Sequence, residues 1–485
     1  MEPTGWLALG ALILHWSLVI GLSARIIMRR RPVGILLAWI ALILSLPFLG
    51  VIVYLFVGEN RVSNRFLKRS AAVEDTYARW RETLRQHGNV MVPDDRAAST
   101  PLVRQADTTP GFPAQGGNRV VLLEDYESIF RSIIGDISRA RRTCHLEFYI
   151  WHPGGLSDDL LDTLIEARKR GVACRVLLDG LGSKPFLSGP GAARLRESGV
   201  QIKGALPVGL MSVFEARADL RNHRKIVVID GEIAYTGSQN LVDPRFFKQE
   251  EGVGRWIDAM VRIEGPAVEA LGGTFIHDWE INTGVGLETL EDSHDVHPVE
   301  PRGDIAIQVA PSGPFPQPVA IMKLVLTTIY SARREIILTT PYFVPDDAVL
   351  IALLSAANRG VEVTIVIPAK NDSLLVQLAS QSVFDELLEA GARIARFQGG
   401  LLHTKSVCVD EEFCVFGSVN LDMRSLWLNF EISLIILDTG LTARIREMQR
   451  AYVRDSEMVD PAEWAQLSLQ RKFVINAAHL VAPVL

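Results

Sequence analysis

The sequence predicts an α/β protein: two tandem domains, each a mixed β-sheet flanked by helices, preceded by two transmembrane helices. Three observations carry this reading. A chain of 485 residues exceeds one ordinary core and suits two or three folded units. One order of helices and apolar strands occurs twice along it. Two long apolar runs open it.

The first apolar run, Trp6 to Ala24, is interrupted only by His15 and is about long enough to cross a bilayer core. It lacks the basic leader and small-residue cleavage site of a signal peptide, so it reads as a retained helix. The second run, Gly34 to Gly58, contains Pro47 and Gly50, which kink a spanning helix or favour a tight hairpin in the membrane. Arg25, Arg29, Arg30 and Arg31 lie between the runs, and Arg61, Arg65, Lys68 and Arg69 follow them, where they meet anionic headgroups. Similar basic charge on both flanks leaves orientation open. A composition of 48% hydrophobic residues fits a short membrane segment joined to a larger soluble part.

Residues 59 to about 90 are charged and form a helix, and Val92 to Arg119, rich in Pro, Gly, Ser, Thr and Asp, reads as a linker. Beyond Val120 come a helical pattern over Tyr126–Ala140, an apolar stretch Leu146–Trp151, a helix to Arg170 and a strand Cys174–Leu178. The order returns as Leu324–Ala332, Ile336–Phe343, Leu350–Arg359 and Val363–Ile367. Ala140-Arg141-Arg142 answers Ala332-Arg333-Arg334, and Arg170-Gly171-Val172 answers Arg359-Gly360-Val361. The expected organisation is an anchor at 1–58, a charged segment and linker at 59–119, a first domain at 120–290, a linker at 291–304 and a second domain at 305–485. Cys144, Cys174, Cys408 and Cys414 lie inside apolar runs without metal-ligand spacing and read as buried thiols, compatible with a reducing cytoplasm.

The chemistry sits in two matched motifs. The first reads His223-Arg224-Lys225, then Asp230, then Gly237-Ser238-Gln239-Asn240; the second reads His403-Thr404-Lys405, then Asp410, then Gly417-Ser418-Val419-Asn420, with every interval equal. Residues two apart on a strand point the same way, so each His and Lys project together, and the Gly-Ser-x-Asn turn brings an amide to the same place. Two copies face to face surround one cavity with two His, two Lys and two Asn. Lys and Asn donors neutralise the non-bridging oxygens of a phosphodiester transition state without a metal. One imidazole attacks phosphorus through a phosphohistidine, and the other gives and takes the proton.

A carboxylate is expected to fix the tautomer of each histidine. Glu431 lies 28 residues beyond His403, and Glu251, with Glu250 beside it, stands at the same interval from His223. Asp230 and Asp410 complete the candidate catalytic set, either as acids or, at the far end of an apolar strand, as structural holders of the motif loop.

The doubled pattern resembles the phospholipase D superfamily. The paired N-terminal runs with Ala38-Trp39 and Pro47-Phe48-Leu49-Gly50 resemble bacterial cardiolipin synthases, as do Phe148-Tyr149-Ile150-Trp151, Thr340-Pro341-Tyr342-Phe343 and Leu421-Asp422-Met423-Arg424-Ser425. The resemblance covers nearly the whole chain. It implies two phospholipase D-like domains that join two phosphatidylglycerol molecules into cardiolipin and release glycerol, with no cofactor and no required metal. It implies His223 as nucleophile and His403 as acid and base, although the near-symmetric pattern accepts the reverse. Lys225, Lys405, Asn240 and Asn420 match the phosphate-binding positions, with Ser238 and Ser418 beside them. The implied location is the bacterial inner membrane, multi-pass, with the catalytic domains facing the cytoplasm. The partners are phosphatidylglycerol, cardiolipin and membrane lipids.

The same motifs serve a hydrolase that makes phosphatidic acid, and product analysis separates the two. A nuclease is disfavoured by a net charge of −6 and by the anchor, so no nucleic-acid partner is expected. His294, His297, Asp292 and Asp295 fall in a segment read as a solvated linker and are not taken as metal ligands. His145, His152 and His277 read as structural. Pro207–Leu220 and the tail Phe473–Leu485 are apolar segments that either touch lipid or close the domains.

Overall fold

The computed structural model describes all residues except 1–2, 29–32, 47, 59–62, 87–88, 92–93, 110, 207–216, 218, 287–294, 316 and 481–485. Pro47, most of the Pro207–Leu220 segment, Asp292, His294 and the end of the apolar tail thus lie outside the described residues. The chain forms two compact units, residues 1–68 with 208–220 and residues 69–207 with 221–485.

In the first unit a helix runs over Pro3–Met28. Its stretch Leu9–Met28 is, among the described residues, the one helix long and apolar enough to cross a membrane. The second apolar run corrects the expectation of two spanning helices. It forms a helix over Val33–Ser45, 13 residues long, or roughly 20 Å at the helical rise, short of a core of about 30 Å. The chain turns at Phe48, where φ is 62°, and resumes as the short helix Leu49–Val53 and a π turn over Tyr54–Gly58. Gly50 permits the reversal, since a Cβ there would lie 2.5 Å from the Leu42 carbonyl oxygen. Val19, Ile26, Ile43, Val51 and Tyr54 pack together inside this unit.

The second unit is built on one 15-stranded sheet. The first repeat supplies β1 (Gln115–Leu123), β2 (Thr143–Phe148), β3 (Ala173–Asp179), β4 (Gln201–Ala205), β5 (Ile226–Ile229), β6 (Ile233–Gly237), the short β7 (Trp256–Ile257) and β8 (Met260–Glu264). The second supplies β9 (Ile305–Ser312), β10 (Glu335–Thr339), β11 (Phe343–Val344), β12 (Glu362–Pro368), β13 (Arg393–Phe397), β14 (Leu401–Leu402), β15 (Ser406–Val409), β16 (Phe413–Gly417), β17 (Leu421–Asp422), β18 (Glu431–Ile436) and β19 (Ser456–Met458). The first half is ordered β4-β3-β2-β5-β6-β8-β1 and the second β13-β12-β10-β15-β16-β18-β9, with β19 on the outer edge. In each half the outer three strands run parallel and the rest antiparallel, which is the expected mixed sheet.

The halves join through the antiparallel pair β1–β9, bulged between Gln115 and Asn118. The buried Asn118 satisfies the backbone at that seam: its amide donates to Gln115 O (2.8 Å) and Ile305 O (3.0 Å), and its oxygen accepts from Ala267 N–H (2.8 Å). The helices Ala267–Thr283 and Thr439–Arg454 cover one face of the sheet with a core shared by both repeats. Tyr126–Arg139 with Leu156–Lys169, and Ala320–Ser331 with Asp347–Asn358, cover the other face. Covered on both sides, β5 reads Ile-Val-Val-Ile without polar alternation: Ile226 and Val228 enter the shared core, Val227 and Ile229 the first repeat's own.

Two segments read as linkers contribute described residues to the fold. Within Val92–Arg119 a helix spans Thr100–Thr108, burying Leu102, Val103 and Ala106, and β1 begins at Gln115. Between the repeats, Asp295 is fully buried, bonded to His145 Nε2 and Arg175, both at 2.9 Å. Turn-forming composition hid the first segment, and the partners of Asp295 lie too far away in sequence to betray the second.

Candidate active site

The motif residues His223-Arg224-Lys225 and His403-Thr404-Lys405 lie just before β5 and β15 rather than within them. Each extended lead-in pairs with the other repeat: His223 N–H donates to Phe430 O and His403 N–H to Ile257 O, both at 2.8 Å. Both histidines, Asn240 and Asn420 line one cavity of about 350 Å³ in the second unit. Asn240 is oriented by its oxygen, which accepts from Ile150 N–H at 3.2 Å.

The carboxylates that orient the histidines are exchanged between repeats. His223 Nδ1 donates to Glu431 Oε2 at 2.9 Å and His403 Nδ1 to Asp258 Oδ1 at 2.7 Å. Glu251, the residue expected by spacing, instead pairs with half-exposed Lys248 at 3.1 Å. Strand register explains the difference. Gly237 faces Met260 across β6–β8 and Gly417 faces Ser433 across β16–β18. Asp258 and Glu431 each stand two residues before those partners and are structural equivalents. Asp258 lies 35 residues after His223 against 28 for the other pair, because the first repeat carries seven extra residues between its turn and its strand. Counting back from the apolar strand, rather than forward from the histidine, finds it.

Ser238 and Ser418 serve these carboxylates. Ser418 Oγ donates to Glu431 Oε2 at 2.5 Å, and Ser238 hydrogen-bonds Asp258 and the Ala259 backbone. The preceding glycines are required by close approach: a Cβ at Gly237 would sit 2.4 Å from Ala259 O, and one at Gly417 2.2 Å from Ile432 O.

Burial, outweighing the pull of the paired carboxylate, brings His223 and His403 down to about 4. Burial raises Glu431 and Asp258, but their histidine, the neighbouring lysine and a serine hydroxyl together outweigh it, and both end below the usual carboxylate range. At neutral pH the resting site therefore holds neutral imidazoles whose Nδ1–H points at an anion, leaving Nε2 with a lone pair. Tyr149 meets the His223 ring edge-on at 5.1 Å, and Trp256 covers His403 at 4.4 Å. Lys225 and Lys405 are buried, each donating to the carbonyl of its own histidine at 2.7 and 2.5 Å. Burial lowers Lys225 to about 8 and takes Lys405 well below its usual value.

Asp230 and Asp410 are at the other end of β5 and β15. Asp230 accepts from the N–H groups of Arg141, Arg142 and Thr143 at 2.7–3.2 Å. Asp410 accepts from those of Arg333, Arg334 and Glu335 at 2.7–2.8 Å. They tie each hairpin to the start of β2 or β10, and neither is among the residues that line the cavity.

The middle residue differs between repeats. Arg224 Nε donates to Glu431 O and Nη2 to Ser312 O, both at 3.0 Å, while Nη1 pairs with buried Asp278. Thr404 makes only neutral bonds, to Ile257 O (3.3 Å) and Tyr452 (3.4 Å). Sequence reading also passed over Arg221, Lys248 and Asp372 in the cavity wall. Tyr149, Tyr342, Asp422 and Arg424 in that wall belong to the three segments that carried the resemblance. Burial pushes Asp422 up to about 6.

A family model described as "Cardiolipin synthase, PLD-like domain" matches residues 133–279 and 325–452. A second, "Phospholipase_D-nuclease N-terminal", matches 17–59. Cardiolipin synthase A of Salmonella arizonae and that of Salmonella paratyphi B are each 43% identical over 472 residues, covering 97% of this chain and 97% of theirs. Phosphatidylserine synthase of Haemophilus influenzae Rd KW20 shares the fold, with a TM-score of 0.60 at 17% identity over 79% of this chain and 100% of that one. With both repeats matched in tandem and the relationship extending through the N-terminal segment, the chain belongs to the PLD-like cardiolipin synthase family.

Proposed function

We propose that the protein is a cardiolipin synthase that transfers a phosphatidyl group between two phosphatidylglycerol molecules. The observation that carries this reading is the pair of buried histidines in one cavity, each bonded through Nδ1 to a carboxylate from the opposite repeat. His223 Nε2 attacks the donor phosphorus, the bond to the headgroup oxygen breaks, and His403 delivers the proton that lets glycerol leave. The terminal hydroxyl of a second phosphatidylglycerol then gives its proton to His403 and attacks phosphorus. Cardiolipin forms and His223 is released.

Taking the donor phosphate next to His403 favours imidazolium there, which lifts its low resting affinity for protons when the acid is needed. Lys225 and Lys405 supply positive charge near the non-bridging oxygens, and Asn240 and Asn420 donate hydrogen bonds to them. None of these steps calls on a metal. The protein resides in the bacterial inner membrane with the catalytic unit toward the cytoplasm, anchored by the Leu9–Met28 helix and the hairpin that follows it.

The test is incubation of the purified protein with phosphatidylglycerol vesicles in EDTA, followed by lipid and glycerol analysis. Cardiolipin and glycerol in equal amounts support transfer. Phosphatidic acid as the sole lipid product makes the protein a hydrolase.

A further inference from the structure

The helix Leu469–His479 is apolar on two sides. Ile475 and Ala478 are buried, and the helix packs along Leu374–Gln381, with His479 Nδ1 bonded to Ser382 Oγ at 2.9 Å. Its other side carries Leu469, Phe473, Ala477 and Leu480 at helical spacing, all facing solvent. Leu469 is 86% exposed, Phe473 75% and Leu480 81%. The neighbouring helix adds Leu374, 70% exposed, with Leu375 beside it. Large apolar side chains grouped in this way are a cost in water and mark a contact surface.

The same neighbouring helix reaches the active-site cavity. Ser373, its N-cap, and Val376, in its first turn, line the wall, so Leu374 and Leu375 project outward from the turn that borders the site. The chemistry requires phosphorus inside that cavity while two acyl chains stay in an apolar phase. Lys370 and Arg471 are exposed near the two helix starts, and cations there are attracted to an anionic lipid surface.

We propose that the helices Leu374–Gln381 and Leu469–His479 form a docking face that enters the bilayer interface beside the active-site mouth. The face holds the mouth at the headgroup plane, so that substrate slides in from the leaflet without its chains crossing water. This rests on the reading that the substrates are bilayer phospholipids, but it adds a contact independent of the N-terminal anchor.

The test uses full-length protein in vesicles of phosphatidylcholine with phosphatidylglycerol. The four native cysteines are buried, so a fluorophore can be directed to Phe473→Cys, with exposed Arg131→Cys as control. Quenching of the residue 473 probe, and not the residue 131 probe, by nitroxide-labelled lipids is expected. In parallel, Leu469→Ser/Phe473→Ser/Leu480→Ser is expected to lose roughly tenfold in rate on vesicle phosphatidylglycerol. Its rate on dissolved short-chain phosphatidylglycerol should match wild type, which also shows that it folds. A residue 473 probe open to aqueous iodide in vesicles overturns the proposal. So does one shielded equally without lipid, since a second copy or another segment then covers the face. Wild type that makes no cardiolipin while the probe is quenched by lipid removes the functional reading and leaves the docking face standing.

Discussion

Replacing Asp258 by asparagine tests whether the exchanged carboxylates are what makes each histidine competent. The side chain is fully buried, and its oxygen lies 2.7 Å from His403 Nδ1. A hydrogen bond to a buried charge contributes about 1.5–3 kcal/mol, and about 1.36 kcal/mol is a factor of ten in rate. Loss of that interaction should cut kcat by roughly 10- to 150-fold. An amide also presents N–H as readily as C=O, so the wrong His403 tautomer is admitted at no gain. Glu251→Gln is the matched control, because Glu251 touches Lys248 at the half-exposed edge of the site and no histidine. It should stay within about twofold of wild type. The assay is initial-rate cardiolipin formation from phosphatidylglycerol vesicles at saturating substrate. If Asp258→Asn retains wild-type kcat, or Glu251→Gln is the damaging change, the assignment by strand register is wrong.

Three further outcomes follow from the same geometry. Asp410→Asn removes charge from a carboxylate held by three backbone N–H groups; it should lower Tm by several degrees, for a loss of about 2 kcal/mol, with kcat of the folded protein little changed, and a large kcat loss at unchanged Tm contradicts this. Arg224→Met leaves buried Asp278 without its arginine, with only His277 and Glu147 beside it, and should destabilise by about 3–5 kcal/mol, whereas Arg224→Met/Asp278→Leu should recover part of that loss in thermal melts; strictly additive losses would deny the coupling. His223 and His403 titrate near 4 when folded and near 6.5 when unfolded, so the unfolded chain binds the extra protons and stability drops as pH falls from 6.5 toward 4, by on the order of 3 kcal/mol per histidine. His223→Gln/His403→Gln should show a shallower fall of Tm between pH 7 and pH 5, and parallel profiles would contradict the buried neutral state.

Much of this was legible because the chain states it twice. Equal spacing from His223 to Asn240 and from His403 to Asn420 identified the motifs, and the repeated helix–strand order placed them in matching halves of one sheet. Apolar runs also marked β3, β10 and β12, because strands covered on both faces are mostly apolar, whereas β2 starts three residues before the run Leu146–Trp151, since its first half carries Thr143 and His145. What failed was whatever depends on partners from the other repeat or from afar. Asp258 meets a histidine 145 positions later, and Asp295 meets His145 150 positions earlier. Neither distance leaves a periodic trace. The seven-residue insertion before β8 also shifted the expected carboxylate onto Glu251. In the membrane segment, hydropathy alone could not distinguish one continuous helix from a helix that turns back at Phe48.

The central claim is that phosphatidyl transfer passes through one histidine while the other carries the proton. Rapid mixing with phosphatidylglycerol labelled at phosphorus, stopped in alkaline detergent to preserve a phosphoramidate, tests it most directly. The account predicts protein-bound label on His223 in wild type, retained in His403→Ala and absent in His223→Ala. Label that survives in His223→Ala and vanishes in His403→Ala reverses the roles, and cardiolipin formed with no protein-bound label at any time contradicts the covalent mechanism.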